Sequence, residues 1–214
     1  MTVAIIDYGS GNLRSAAKAF ERASATAGNG TRIVVTDRPE DLDVASHIVL
    51  PGVGAFADCM SGLIALGGMR DALERNVINH GKPFLGICVG MQLVAERGVE
   101  HGNHQGFGWI QGVITPIEPV DGALKIPHMG WNDLDIIKPD HPVFQGLSSG
   151  MHGYFVHGYA LSGGNSEQRL ARVDYAGEIA AVVGRDNLVG TQFHPEKSQA
   201  NGLKFIENFL GWKP

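Results

Sequence analysis

Short apolar runs alternate with amphipathic stretches along the first hundred residues. Val3-Ala4-Ile5-Ile6 ends in the polar, glycine-rich Asp7-Tyr8-Gly9-Ser10-Gly11-Asn12, and residues 13–25 then follow with helical spacing. Gly28-Asn29-Gly30 closes that helix, and Arg32-Ile33-Val34-Val35 supplies a second strand. A third run, His47-Ile48-Val49-Leu50, stops at Pro51-Gly52-Val53-Gly54, and residues 55–66 and 69–79 read as helices parted by Gly67-Gly68. The fourth run, residues 83–87, leads into residues 89–96, which have helical composition. This alternation predicts a mainly parallel sheet covered on both faces. Ligand sites in such sheets gather at the carboxyl ends of the strands, so the loops after Ile6, Leu50 and Ile87 belong on one rim.

After Gly108 the pattern changes to closely spaced strand-like runs at residues 112–117, 131–137, 154–161, 171–175, 179–183 and 188–193. Residues 199–210 return to a helical stripe built on Leu203, Phe205, Ile206, Phe209 and Leu210. With no linker and no internal repeat, the expectation is one α/β domain over residues 1–214. It has a mainly parallel central sheet flanked by helices, with an additional β-rich antiparallel part.

Composition narrows the function classes. Seventeen basic residues against 22 acidic give a formal net charge of -5 with no run of like charges, which argues against a nucleic-acid or anionic-membrane surface. No apolar run approaches the roughly 18 residues that span a bilayer, and the N-terminus lacks the basic region of a signal peptide, so a cytoplasmic protein is expected. Two cysteines suit a reducing compartment. Cys59 lies within a predicted helix and reads as structural filling, whereas Cys88 sits where a strand ends and a helix begins.

Gly86 and Gly90 flank Cys88 two residues away on either side, much as glycines flank the serine of a nucleophile elbow. Unpaired N–H groups at a helix start favour the thiolate, the form that attacks a carbonyl carbon. The stretch alone leaves a buried core cysteine open as the alternative. A second stretch, Gln192-Phe193-His194-Pro195-Glu196, ends a strand with a histidine and a carboxylate. Pro195 pushes His194 toward extended geometry, and residues i and i+2 of an extended segment share a side, so the Glu196 carboxylate can orient the His194 ring. Cys88, His194 and Glu196 thus have the residue types of a nucleophile, base and orienter. Oxyanion donors are available from the N–H of Val89 and from the glycine-rich loop 51–54. His101 and His104 lie in a glycine-rich polar loop and lack metal-ligand spacing, so no metal site is expected. A rival reading, a nucleotide-binding module suggested by Gly9-Ser10-Gly11 and Asp37, founders on Arg14 at the position of the third glycine.

The stretches Gly86 to Gln92 and Gln192 to Glu196 resemble the active-site signatures of the class I, triad-type glutamine amidotransferases. Pro51-Gly-Val-Gly-Ala55, Pro127-His-Met-Gly-Trp-Asn132, Tyr154-Phe-Val-His157 and Asp7-Tyr-Gly-Ser-Gly-Asn-Leu13 are similar, more narrowly, to the glutaminase subunits of imidazole glycerol phosphate synthase. The resemblance implies a flavodoxin-like fold, a heterodimer with a (β/α)8-barrel cyclase subunit, glutamine as substrate and no cofactor. It implies Cys88, His194 and Glu196 as the triad and Val53 and Val89 as oxyanion donors. Gly54, Gln92, Gly153 and Tyr154 match positions that hold the glutamine, and Asn12, Trp131 and Lys197 match the partner interface. Val89 stands where the family usually has leucine, and Gly158 where it usually has serine. A glutaminase of the same class serving anthranilate or aminodeoxychorismate synthase is the nearest competing reading.

Overall fold

The computed structural model describes residues 1–28, 30–119 and 124–214; Asn29, in the loop that closes the first helix, lies outside the described residues. The first half runs β1 (Thr2–Ile6), α1 (Leu13–Ala27), β2 (Arg32–Thr36), α2 (Asp41–Val44), β3 (His47–Gly52), α3 (Phe56–Ala65), α4 (Met69–Leu73), β4 (Phe84–Cys88) and α5 (Val89–Leu93). The second half runs β5 (Ala95–Gly98), β6 (His104–Gln105), β7 (Ile110–Pro116), β8 (His128–Asp133), β9 (Asp135–Ile136), β10 (His152–His157), β11 (Tyr159–Ser162), β12 (Arg169–Asp174), β13 (Glu178–Arg185), β14 (Leu188–Thr191) and α6 (Gln199–Gly211).

Eight strands form one sheet in the order β2-β1-β3-β4-β14-β13-β12-β9. The pairings from β2 through β1, β3 and β4 to β14 are parallel, and those from β14 outward are antiparallel. The β-rich second half therefore extends the central sheet from one edge. Strands β3 and β4 are buried along their whole length, as expected of central strands covered on both faces. A two-stranded ribbon, β8 with β10, and a four-stranded sheet, β11-β7-β5-β6, complete the β structure. One contiguous apolar cluster, from Val3 to Trp212, joins all of it.

Three expectations are corrected. The helix after Cys88 spans five residues and does not reach Glu96. The Val94 carbonyl accepts from the N–H groups of Trp109 and Ile110, and Glu96 O from that of Gly106, so this backbone joins the second sheet. The run 154–161 is two strands broken at Gly158, since β10 pairs with β8 while β11 pairs with β7. Strand β14 stops at Thr191, and the next residues bond across the sheet edge, the Gln192 N–H to Ala181 O and the His194 N–H to Tyr154 O, both at 2.9 Å. The carboxyl ends of β1, β3, β4 and β14 thereby open on one rim.

Candidate active site

Cys88 ends β4 and begins α5 with φ 54° and ψ -111°, a left-handed backbone that an L-residue adopts only when its surroundings impose it. The surroundings here are two close backbone approaches. A Cβ on Gly86 would lie 2.6 Å from the Gly90 carbonyl oxygen, and one on Gly90 would lie 1.8 Å from Leu50 O. The flanking glycines therefore supply room, and the strained torsion falls on the cysteine itself. Because α5 is short, the field at the sulfur comes from the first-turn N–H groups that begin at Val89.

Across the parallel β4–β14 pair, Thr191 stands beside Ile87, and the chain beyond β14 brings His194 to the sulfur. His194 Nδ1 bonds Glu196 Oε1 at 2.8 Å, with both side chains only 3% exposed. Glu196 arrives by a single 3₁₀ turn, Pro195–Lys197, with proline at its first position, so the i, i+2 alternation of an extended segment is not what brings it close. Burial works against charge on His194. Hydrogen bonds and charge interactions with Cys88 and Glu196 outweigh it and hold the imidazole at about 9, well above its ordinary value. The Cys88 thiol also stands 3.8 Å from Val156 O, and the Gln192 amide donates toward the sulfur at 3.8 Å.

A pocket of about 150 Å3 opens in front of the sulfur. Of the residues matched to oxyanion and glutamine positions, Val53, Gly54, Val89 and Gln92 line it, whereas Gly153 and Tyr154 do not. Gly153 packs instead on Phe193, where a Cβ would lie 3.0 Å from the ring, and Tyr154 holds Lys197 over its ring with 5.9 Å to the centroid. Gln92 Nε2 donates to Tyr159 O at 3.1 Å and to Gln192 Oε1 at 3.2 Å, while its own oxygen accepts no hydrogen bond among the described residues. Gly158 also lines the pocket, and a Cβ there would meet Ile126 only at ordinary contact distance.

Sequence reasoning missed Glu100, Gln192 and His157 at this site. Glu100 lines the pocket and accepts the Phe56 N–H at 2.8 Å, so it is held by the start of α3. His157 belongs to a buried chain of ordered protons. Its Nδ1 donates to Tyr159 O (2.9 Å), so its Nε2 accepts from His128 Nδ1 (3.0 Å), and His128 Nε2 accepts from the Asn132 amide (3.3 Å). Burial pushes both imidazoles down to about 4, with the neighbouring histidines adding to the effect at His157. His128 is stacked between Phe155 and Tyr175. The only sequence signal for this chain was the pair of short stretches that contain the two histidines.

The three residues matched to a partner interface fall differently. Trp131 is 49% exposed on the outer face of β8 and packs against the Tyr154 ring, which in turn carries Lys197. Asn12 caps α1, and its carbonyl accepts the Ala16 N–H. Among the described residues no helix is long and apolar enough to cross a membrane.

The profile of the family described as Glutamine amidotransferase class-I matches residues 4–211. Imidazole glycerol phosphate synthase subunit HisH of Rhodospirillum rubrum is 56% identical over 214 residues, and that of Rhizobium meliloti 55% over 217, each match covering the whole of both chains. Among solved structures, one described as a glutamine amidotransferase superposes with TM-score 0.72 at 19% identity, over 98% of this chain and 99% of that one. A glutamine amidotransferase from Thermotoga maritima gives 0.62 at 15% identity, over 92% of this chain and 76% of that one. These two carry the fold alone. The full-length relatives and the family match go further: the chain belongs to the class-I glutamine amidotransferases, among the HisH subunits of imidazole glycerol phosphate synthase.

Proposed function

We propose that the chain hydrolyses the side-chain amide of glutamine through Cys88, His194 and Glu196, acting as one amidotransferase domain, and passes the ammonia to a (β/α)8-barrel cyclase subunit. The cyclase uses it to make imidazole glycerol phosphate and aminoimidazole-carboxamide ribonucleotide in histidine biosynthesis. The observation that carries this reading is the His194 ring, bonded to Glu196 on one nitrogen and engaged with the strained Cys88 thiol on the other side.

The chemistry follows from those contacts. The thiolate attacks the amide carbon, and the N–H groups of Val53 and Val89 stabilise the oxyanion. His194, protonated at neutral pH, gives its proton to the departing nitrogen, and ammonia leaves a γ-glutamyl thioester on Cys88. The now neutral ring takes a proton from water, whose oxygen attacks the thioester. Glutamate departs, and the Cys88 thiolate and His194 imidazolium are restored. Glu100 is the carboxylate suited to the substrate ammonium, and the side-chain oxygen of Gln92 is an acceptor for a substrate N–H. Trp131, Lys197 and Asn12 are assigned to the face that meets the cyclase, and the pair works in the cytoplasm.

The test is glutamate release by the chain alone and with the cyclase and its nucleotide ligand. Turnover is expected to be weak alone and to rise in the liganded complex, since Val53 lies in a partly exposed loop that docking can align. Equal kcat in both states overturns the coupling. In the complex, Cys88→Ala is expected to abolish glutamine hydrolysis while synthesis from added ammonia persists; native hydrolysis by this variant removes Cys88 as nucleophile.

A further inference from the structure

The loop after β3 is gripped at two carbonyls by side chains that the mechanism leaves unused. Tyr8 Oη donates to Pro51 O at 2.7 Å, and Cys59 Sγ donates to Val53 O at 3.3 Å. Tyr8 is 5% exposed and Cys59 is fully buried. Their two acceptors bracket a single unit, the Gly52–Val53 peptide, whose N–H is the oxyanion donor assigned above.

The packing around this grip leaves little slack. Cys59 and Gly62 stand nearly one turn apart on α3 and straddle Tyr8: a Cβ on Gly62 would lie 2.6 Å from the Tyr8 carbonyl oxygen and 3.3 Å from its ring. A Cβ on Gly52 would lie 2.5 Å from Tyr8 Oη and 2.8 Å from the Gly90 nitrogen, so the loop is wedged between the tyrosine and the Cys88 elbow. Gly11, in the loop that follows Tyr8, abuts the Pro51 ring, where a Cβ would lie 3.4 Å away. Burial raises both the Tyr8 hydroxyl and the Cys59 thiol above their ordinary values, so both remain protonated donors at neutral pH.

We propose that Tyr8 and Cys59 are positioning residues of the glutaminase, holding the carbonyls of Pro51 and Val53 at either end of the Gly52–Val53 peptide so that, in the liganded complex, the Val53 N–H between them meets the oxyanion that forms at Cys88. This rests on the glutaminase reading given above. The cysteine expected to be mere helix filling thereby gains a task at the transition state, and neither side chain needs to touch glutamine.

The experiment uses the liganded complex with the cyclase, comparing the native chain with Tyr8→Phe, Cys59→Ala and Cys59→Ser, with rates referred to folded protein measured by circular dichroism. Loss of one neutral hydrogen bond that aims a transition-state donor lowers kcat about fivefold, so Tyr8→Phe and Cys59→Ala are each expected to show that loss at unchanged KM for glutamine. Cys59→Ser restores a donor to the same carbonyl and is expected to recover most of the rate. Native kcat in both deletion variants, a loss confined to KM, or a serine variant as slow as the alanine variant overturns the proposal. A native complex that hydrolyses no glutamine instead removes the glutaminase reading, and the positioning role falls with it.

Discussion

Glu196→Gln isolates the charge of the orienting carboxylate. The amide keeps an oxygen where Glu196 Oε1 now holds His194 Nδ1 at 2.8 Å, so the tautomer and ring direction survive. What is lost is the negative charge, in a pair 3% exposed on each side, where water screens little. A hydrogen bond to a charged group contributes about 1.5–3 kcal/mol and a neutral one about 0.5–1.5, so the imidazolium loses on the order of 1.5 kcal/mol, about tenfold in rate. A further cost arises at Oε2, which has no hydrogen-bond partner among the described residues; an amide nitrogen placed there is a buried donor without an acceptor among them. The assay is glutamate release at saturating glutamine in the liganded complex, from pH 6 to pH 10. The variant is expected to turn over about tenfold more slowly at neutral pH. Its alkaline limb should also fall at lower pH than the native one, because His194 is no longer held at about 9. A variant with the native rate and an unmoved alkaline limb refutes the role of the Glu196 charge.

The same imidazole links folding to pH. Its folded value of about 9 lies above the ordinary 6.5, so its cation stabilises the fold fully below pH 6.5 and that stability is lost as pH rises through 9. The contribution is about 3 kcal/mol; urea unfolding at pH 6 and pH 10 should show this loss in the native chain and a smaller one in His194→Gln, and equal losses in both would contradict it. Gly90→Ala places a Cβ 1.8 Å from Leu50 O in backbone that cannot yield cheaply, and is expected to cost about 3 kcal/mol or more and to abolish hydrolysis. A Gly90→Ala protein with native unfolding midpoint and rate would show that the elbow has slack. His128→Phe keeps the stacking between Phe155 and Tyr175 but leaves His157 Nε2 without its donor. A destabilisation of about 1–3 kcal/mol is expected in urea titration, and an unchanged midpoint would remove the ordered-proton chain as a source of stability.

Much of the first half was legible because three of its four apolar runs, β1, β3 and β4, are central strands of one sheet, so local composition and tertiary position agree. The end of α5 was not legible. Val94, Ala95 and Glu96 suit a helix, and only the distant residues 106–110, by claiming their carbonyls, turn them into sheet. Gly158 broke a run that reads as one strand because the two halves have different partners, which is a long-range fact. At the site, Cys88 and His194-Pro195-Glu196 stood out by their unusual local sequence. Glu100 did not: it lies in an irregular glycine-flanked segment and reaches the pocket only because the Phe56 N–H holds it. Tyr8 and Cys59 were invisible for the same reason, since their contacts join elements some 43 residues apart and α3 to the loop before it.

The parallel pairing of β4 with β14 acts as a ruler. Phe84 faces Leu188 and Ile87 faces Thr191, and a slip of one residue would carry His194 about 3.3 Å along the strand and turn its neighbours to the opposite face. The ruler is also the last strand to be synthesised. A growing chain has made Cys88 long before it makes Gln192, which lies 104 residues further on, and His194 just beyond it. Until β14 slots between β4 and β13, a nascent chain has the proposed nucleophile with neither His194 nor Glu196 beside it. Completion of the sheet and assembly of the proposed triad are therefore one event.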